Sequence, residues 1–384
     1  MIERDHRISP RSDQRGNDPH RDFLKAFTKT DSEDRLCYVP FASSSTSLPT
    51  SAMSDLDQQQ KDFLHALRHV ELHVHIEGAM TPELLFKIAD RNSLSMEHDL
   101  FDWSQGHDGS EKATYKDYTD LNQFLNVYTK ATEVLKTRED FKDLAYEYMC
   151  KAHSQGVMHA EVFIDVQTYV DRGLHGDEVV HGLEDGFKQG QQEFGISYLM
   201  LGCALRHLSP DECVDGMEIL RTYHERGLIH GMGLCSAEKD QPPAKFLPAF
   251  RRAKEIGFER FTAHAGEDGP ASYVTEALDV LGVTRIDHGI NGIKDEQVFA
   301  RLRDEGIMVT LCPLSNIALN VIDHLSELPI RKMLDSDLKV SPHLLAKFPG
   351  SHMAFCSFPS IQMIQRSSTH GYRKTTSRFK RNMH

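Results

Sequence analysis

Two periods of apolar residues take turns along most of the chain. From about residue 57 to residue 340, stretches with apolar side chains at every third or fourth position are followed by short runs that are continuously apolar or alternate with polar residues. The first period belongs to an amphipathic helix and the second to a buried strand. The short runs predict strands at 70–75, 157–164, 197–205, 228–234, 260–264, 285–288 and 307–312, with an eighth starting near 338–340. The longer stretches carry helix ends. Thr81-Pro82 supplies an N-cap and a first-turn proline. The segment 141–156 sets Phe141, Leu144, Tyr148 and Met149 at helical spacing and closes on Gly156, and 296–306 does the same with Val298, Phe299 and Leu302 before Gly306. Strand, helix, strand at this regularity means an α/β fold of parallel strands with right-handed crossovers.

Composition narrows the class. The 384 residues are 39% hydrophobic and 26% charged, enough to bury a large core. Their length suits two to three average domains or one large α/β barrel. No run approaches a membrane span, and the charged N-terminus lacks the apolar region of a signal peptide, so secretion and membrane insertion are not expected. Seven scattered cysteines without a C-x-x-C point to a reducing compartment and away from a cysteine-built zinc site. A net charge of −13 without a basic stripe argues against nucleic-acid partners.

Three segments result. Residues 1–52, mixed in charge and ending in a Ser/Thr/Pro stretch, read as a disordered extension or as sequence upstream of a start at Met53. Residues 53–340 carry the repeating pattern. Residues 341–384 contain seven Lys or Arg and no Asp or Glu, an abrupt shift that reads either as a solvated basic tail or as a change of reading frame or splice pattern. The run RKTTSRFKR at 373–381 reads as a charged disordered end or a nuclear address.

The chemistry gathers at strand ends. His73 and His75 close the first strand, and the strand period points both imidazoles to one side. About one His-x-His arises by chance among this many histidines, so position is what counts. The fifth strand ends in His264-Ala265-Gly266-Glu267 and the sixth in Asp287-His288-Gly289. In a parallel barrel the C-terminal strand ends are where catalytic groups collect. Neutral imidazoles suit zinc, which lowers the pKa of a bound water to about 7, while an unligated carboxylate such as Glu267 and a further imidazole such as His288 can move protons. This set suits hydrolytic attack on an electron-poor carbon. The H-x-E with P-C-x-x-C signature of one class of zinc deaminases is absent, so that class is excluded. Asn316 and the pair Arg206-His207 either touch substrate or serve loop hydrogen bonding. Gly231-Met232-Gly233 reads as strand packing rather than a phosphate loop.

ELHVHIEG, TAHAGEDGPA, RIDHGI and LCPLSN, in this order and spacing, resemble the adenosine deaminase superfamily of zinc (β/α)8 TIM-type barrels. Within it, Glu77 in HIEG and the segments CALRHLSPDEC and SAEKDQPPAKF look most like the microbial adenine deaminases. The resemblance covers roughly 63–340. It implies one zinc ion per chain on His73, His75 and His264, Glu267 as proton donor to the purine, His288 as the group that orients or deprotonates water, and Glu77 at the substrate. The implied reaction is adenine plus water giving hypoxanthine and ammonia in purine salvage, with a small purine base as partner; the expected location is cytoplasmic, with cytoplasm and nucleus together as the alternative. Adenosine deamination is the alternative substrate reading; a non-catalytic, truncated or pseudoenzyme product is the alternative of another class. Cys235 stands where the resemblance places Asp.

The resemblance breaks after Val340. The family carries N-S-D-D-P or similar there, its first Asp a fourth metal ligand and its second a grip on the purine. Here SPHLLAKFPG follows, and no carboxylate occurs beyond Asp337. Asp335 and Asp337 precede the strand and are expected at its opposite end. The last β/α unit therefore looks replaced by an unrelated tail, with the residues 352–358 as a candidate substitute strand, and activity is expected to be impaired.

Overall fold

The structure is a computed structural model that describes residues 68–96, 100–105, 111–115, 121–342, 344–345 and 357–358. The extension at 1–52 and nearly all of 341–384 lie outside the described residues. Eight parallel strands form one sheet curled into a nearly closed barrel: β1 (His69–His75), β2 (Val157–Ile164), β3 (Ser197–Leu205), β4 (Ile229–Cys235), β5 (Phe261–Ala265), β6 (Arg285–His288), β7 (Met308–Leu311) and β8 (Val340–Pro342). Each pairs with the next in chain order, as a (β/α)8 barrel requires.

The eighth strand runs past the composition break. Val340, Ser341 and Pro342 pair with Val309, Thr310 and Leu311, so the first two residues of the acid-free segment still belong to the barrel. Of the substitute strand expected within 352–358, residues 352–356 lie outside the described residues. Ser357–Phe358 pairs antiparallel with Leu344–Leu345 in a separate two-stranded sheet. A further hairpin, Phe101–Gln105 with Glu111–Tyr115, follows the first helix and has no counterpart in the sequence reading.

Helix ends follow the sequence closely. Thr81 Oγ1 accepts from the Leu84 N–H at 3.1 Å and starts the helix Pro82–Arg91. Thr137 with Asp140, and Ser209 with Glu212, form reciprocal capping boxes on the helices Arg138–Ser154 and Pro210–Glu225. The helices bury apolar faces against the strands' outer surface, with Phe141, Leu144, Met149, Val179, Leu183 and Phe187 at most 1% exposed. Burial of each such side chain stabilises the fold by about 1.5–3 kcal/mol.

Two of these helices lie unusually close. Gly182, Gly186 and Gly190 repeat every fourth residue along the helix Gly176–Phe194 and face Arg138–Ser154. A Cβ on Gly186 would stand 2.3 Å from the Lys142 carbonyl oxygen, and one on Gly182 2.5 Å from that of Arg138. Gly186→Ala is expected to lower the unfolding free energy by about 2 kcal/mol, because overpacking of up to about 3 kcal/mol exceeds the helix propensity gained, about 1 kcal/mol. The urea midpoint measures it.

Glu71 sits on β1 but turns toward the helical layer, where Tyr148 Oη donates to its Oε2 at 2.5 Å. Its partner spacing shows a register irregularity between Glu71 and Val74, so Glu71 and His73 serve opposite sides of the sheet although two residues apart. Burial pushes the Glu71 carboxyl up to about 7, against the lowering effect of Tyr148. The folded state therefore holds this proton where the unfolded chain has lost it. Stability from this group is full below about pH 4.5 and falls as pH rises through about 7, by about 3 kcal/mol in all. Glu71→Gln is expected to flatten that part of the pH dependence of urea unfolding.

Candidate active site

Four imidazoles converge at the C-terminal mouth of the barrel. His73 and His75 come from β1, His264 from β5 and His288 from the last position of β6. The ring centroids of His73 lie 4.6 Å from His264 and 4.8 Å from His288, and those of His75 and His264 are 5.1 Å apart. His288 takes a left-handed φ of +66°, followed by Gly289 at +65°, so the chain turns sharply as the strand ends. Phe163 of β2 forms the apolar wall, stacked on His75 with ring centroids 4.8 Å apart.

Hydrogen bonds on the far side of each ring decide what faces inward. His264 Nδ1 lies 3.1 Å from the Leu234 carbonyl oxygen, which only accepts, so the ring proton sits on Nδ1. His73 Nδ1 lies 3.0 Å from Thr310 Oγ1, whose own proton goes to Asp287 Oδ1 at 2.7 Å, so this Nδ1 also donates. Both Nε2 atoms are then lone pairs, and they face each other at 2.9 Å. His75 Nε2 reaches the same His264 Nε2 at 3.1 Å. Lone pairs at this distance repel unless a cation lies between them. Burial and mutual repulsion hold His264 well below the ordinary imidazole range and lower His75 mainly through burial, so protons do not supply that cation at neutral pH. The donor set fits a zinc-like ion, for which three nitrogens and a further open position suffice.

His73, His264 and His288 also stand as a compact trio, each offering a nitrogen within 4.8 Å of the others. The structure thus brings all three histidines implied as ligands together, and places His288 equally near. Burial takes the His288 imidazole down to about 3, while Asn316, 3.2 Å from its Nδ1, acts in the opposite sense. Asn316 therefore serves His288. Arg206 serves the backbone: it is fully buried, its Nη2 donating to the His264 carbonyl at 2.6 Å and its Nε to that of Gln241. His207 is exposed and pairs with Ser236 Oγ. The glycines of β4 are packing residues, since a Cβ on Gly233 would come within 2.5 Å of Phe163.

Glu267 lies 3.4 Å from His288 Nε2 and is buried. Burial, then the charges of Glu238 and Asp268, raise its carboxyl well above the ordinary range. Glu238 was not singled out in the sequence. It is fully buried and accepts the backbone N–H groups of Gly266, Glu267 and Gly269 at 2.6, 2.8 and 3.1 Å, fixing the loop that carries Glu267. It lies in SAEKDQPPAKF, one of the segments that carry the resemblance, but nothing in that segment assigns it a role.

Glu77 lies in the short helical turn after β1. Its carboxyl accepts from Tyr128 Oη at 2.9 Å and from the Asp165 N–H at 3.2 Å, with Tyr169 Oη at 3.4 Å. Burial and the Asp165 charge push it up to about 8. At the end of β8, Ser341 is buried and its Oγ has no partner among the described residues. Asp335 and Asp337 precede that strand, at the end away from the histidines.

The profile of the adenosine deaminase family matches residues 69–343, which span all eight strands and every histidine above. The adenine deaminase of Saccharomyces cerevisiae is 42% identical over 281 residues, 73% of this chain and 80% of the relative. The crystal structure of an adenine deaminase from Arthrobacter aurescens is 38% identical and superposes with a TM-score of 0.65 over 72% of this chain and 82% of that one. A zinc-bound amidohydrolase from Burkholderia ambifaria is 29% identical with a TM-score of 0.64, covering 75% and 78%. Sequence, barrel and clustered imidazoles agree, and the chain belongs to the adenosine deaminase family.

Proposed function

We propose that this chain is built to deaminate adenine hydrolytically, with zinc on His73, His75 and His264. The observation that carries the metal assignment is the pair of inward lone pairs on His73 and His264, 2.9 Å apart. The base specificity rests on relatives named adenine deaminase at about 40% identity over most of the chain. A zinc ion bound there would supply Lewis acidity that makes water a nucleophile near neutral pH.

The chain's own residues would move the protons. Glu267, protonated, donates to a purine ring nitrogen beside the amino-bearing carbon, which makes that carbon electron-poor. His288, neutral and next to Glu267, takes a proton from the water whose oxygen bonds to the carbon. The amino nitrogen then takes that proton from His288 and its bond to the carbon breaks as the hydroxyl proton passes to Glu267, releasing ammonia and the oxo purine and restoring both side chains. Low-pKa imidazole and high-pKa carboxyl are a base and an acid in their working forms. Glu77, also protonated, stands with Asp165 as a donor and acceptor pair for the purine. The five described cysteines are all free thiols, which fits a place in purine salvage inside the cell.

This chain lacks the carboxylates that the family resemblance places after the eighth strand. Each polar contact used in the transition state is commonly worth about 3 kcal/mol, so this sequence is expected to turn over at least about a hundredfold more slowly than one that has them. The test is a chimera joining residues up to Ser341 to the terminal unit of the Saccharomyces relative, assayed on adenine and adenosine. Faster deamination of adenine supports the reading, and preference for adenosine sinks it. In the same chimera, Glu267→Gln is expected to cost about 10²–10⁴ in rate while bound zinc, read by atomic absorption, stays at the parental level.

A further inference from the structure

Beside the imidazole cluster lies a second set of metal-binding atoms. Cys203 on β3 and Cys235 at the end of β4 place their sulfurs 3.1 Å apart, and His75 offers a ring nitrogen within 4.8 Å of both. The two cysteines are 4% and 2% exposed and pack with Phe163, Leu201 and Leu205, while His75 is half-buried.

A disulfide is the first alternative, and the strand register disfavours it. Cys203 is opposite Gly233, and Cys235 is opposite Leu205, so the two cysteines are diagonal neighbours two residues out of register. Strands about 4.8 Å apart rising about 3.3 Å per residue put their Cα atoms about 8 Å from each other. A disulfide closes only when that distance is below about 7 Å. A bridging ion needs no such closure. Zinc–sulfur and zinc–nitrogen bonds of about 2.3 and 2.0 Å set tetrahedral ligand atoms about 3.3–3.8 Å apart, the scale on which this trio already lies.

We propose that His75, Cys203 and Cys235 form a second metal site, selective for thiophilic cations, that shares His75 with the imidazole cluster. Two sulfurs and one nitrogen favour zinc, cadmium or cuprous ions over oxygen-seeking cations. Each thiol releases its proton to solvent as it binds. Because His75 Nε2 is also 3.1 Å from His264, an ion taken up by the thiols competes for a group the imidazole cluster uses. The site stands on these three residues whether or not adenine is the substrate.

The test is a cobalt(II) titration of the full metal-free chain, followed by ultraviolet absorption. The wild type is expected to show a thiolate-to-cobalt charge-transfer band that falls to half or less in Cys235→Ser and keeps its intensity in His264→Ala. A folded wild type without the band overturns the proposal. So does a band unchanged by Cys235→Ser, which would assign it to other cysteines, or one lost in His264→Ala, which would assign the thiols to the ion of the imidazole cluster. X-ray absorption on the cadmium-loaded wild type needs no substitution: sulfur neighbours are expected, and nitrogen and oxygen neighbours alone overturn the site.

Discussion

Everything at the mouth of this barrel depends on where two imidazole protons sit. The Leu234 carbonyl holds one on His264 Nδ1, and the Thr310 hydroxyl, itself committed to Asp287, holds the other on His73 Nδ1. The inward nitrogens are left with lone pairs directed at each other, an arrangement that is unfavourable without a cation and well suited to one. Asp287 therefore acts at a distance. It touches no reacting atom, yet through Thr310 it sets the tautomer of His73, and Thr262 and Arg285 hold its carboxylate in place.

The same economy appears around Glu267. Burial does most to raise its carboxyl above the ordinary range, and Glu238 both adds to that effect and holds the loop still. Its charge raises Glu267, and its oxygens collect three backbone N–H groups of the loop. Arg206 offsets that buried charge while gripping the carbonyl of His264. Acid, base and candidate ligands are thus tied through one connected set of buried polar groups.

Much of this was readable from the chain. The strand spans agree with the alternation of apolar residues to within about a residue at most ends, since burial on both faces leaves a dense apolar run. The histidines and Glu267 were readable because they sit at strand ends. Glu238 was not, because its role depends on a loop from another β/α unit closing over it. Glu71 was not either: strict alternation puts it with His73 and His75, and the register irregularity in β1 sends it to the helical layer. Arg206 and Asn316 were visible as polar residues near the site, but whether they meet substrate, backbone or His288 is decided only by packing.

The contact between His73 and Thr310 joins positions 237 residues apart, and that between His73 and His264 spans 191. Contacts of such range carry a large loop-closure cost and form late in folding, after the local β/α units have condensed. During synthesis β1 emerges with its two histidines long before β7 can supply the threonine that fixes one of them. For most of the time the chain spends on the ribosome these imidazoles have no proper tautomer and no neighbours. The centre is therefore a checkpoint of assembly: its imidazoles take up this arrangement only in a barrel that has already brought its first strand and its seventh together.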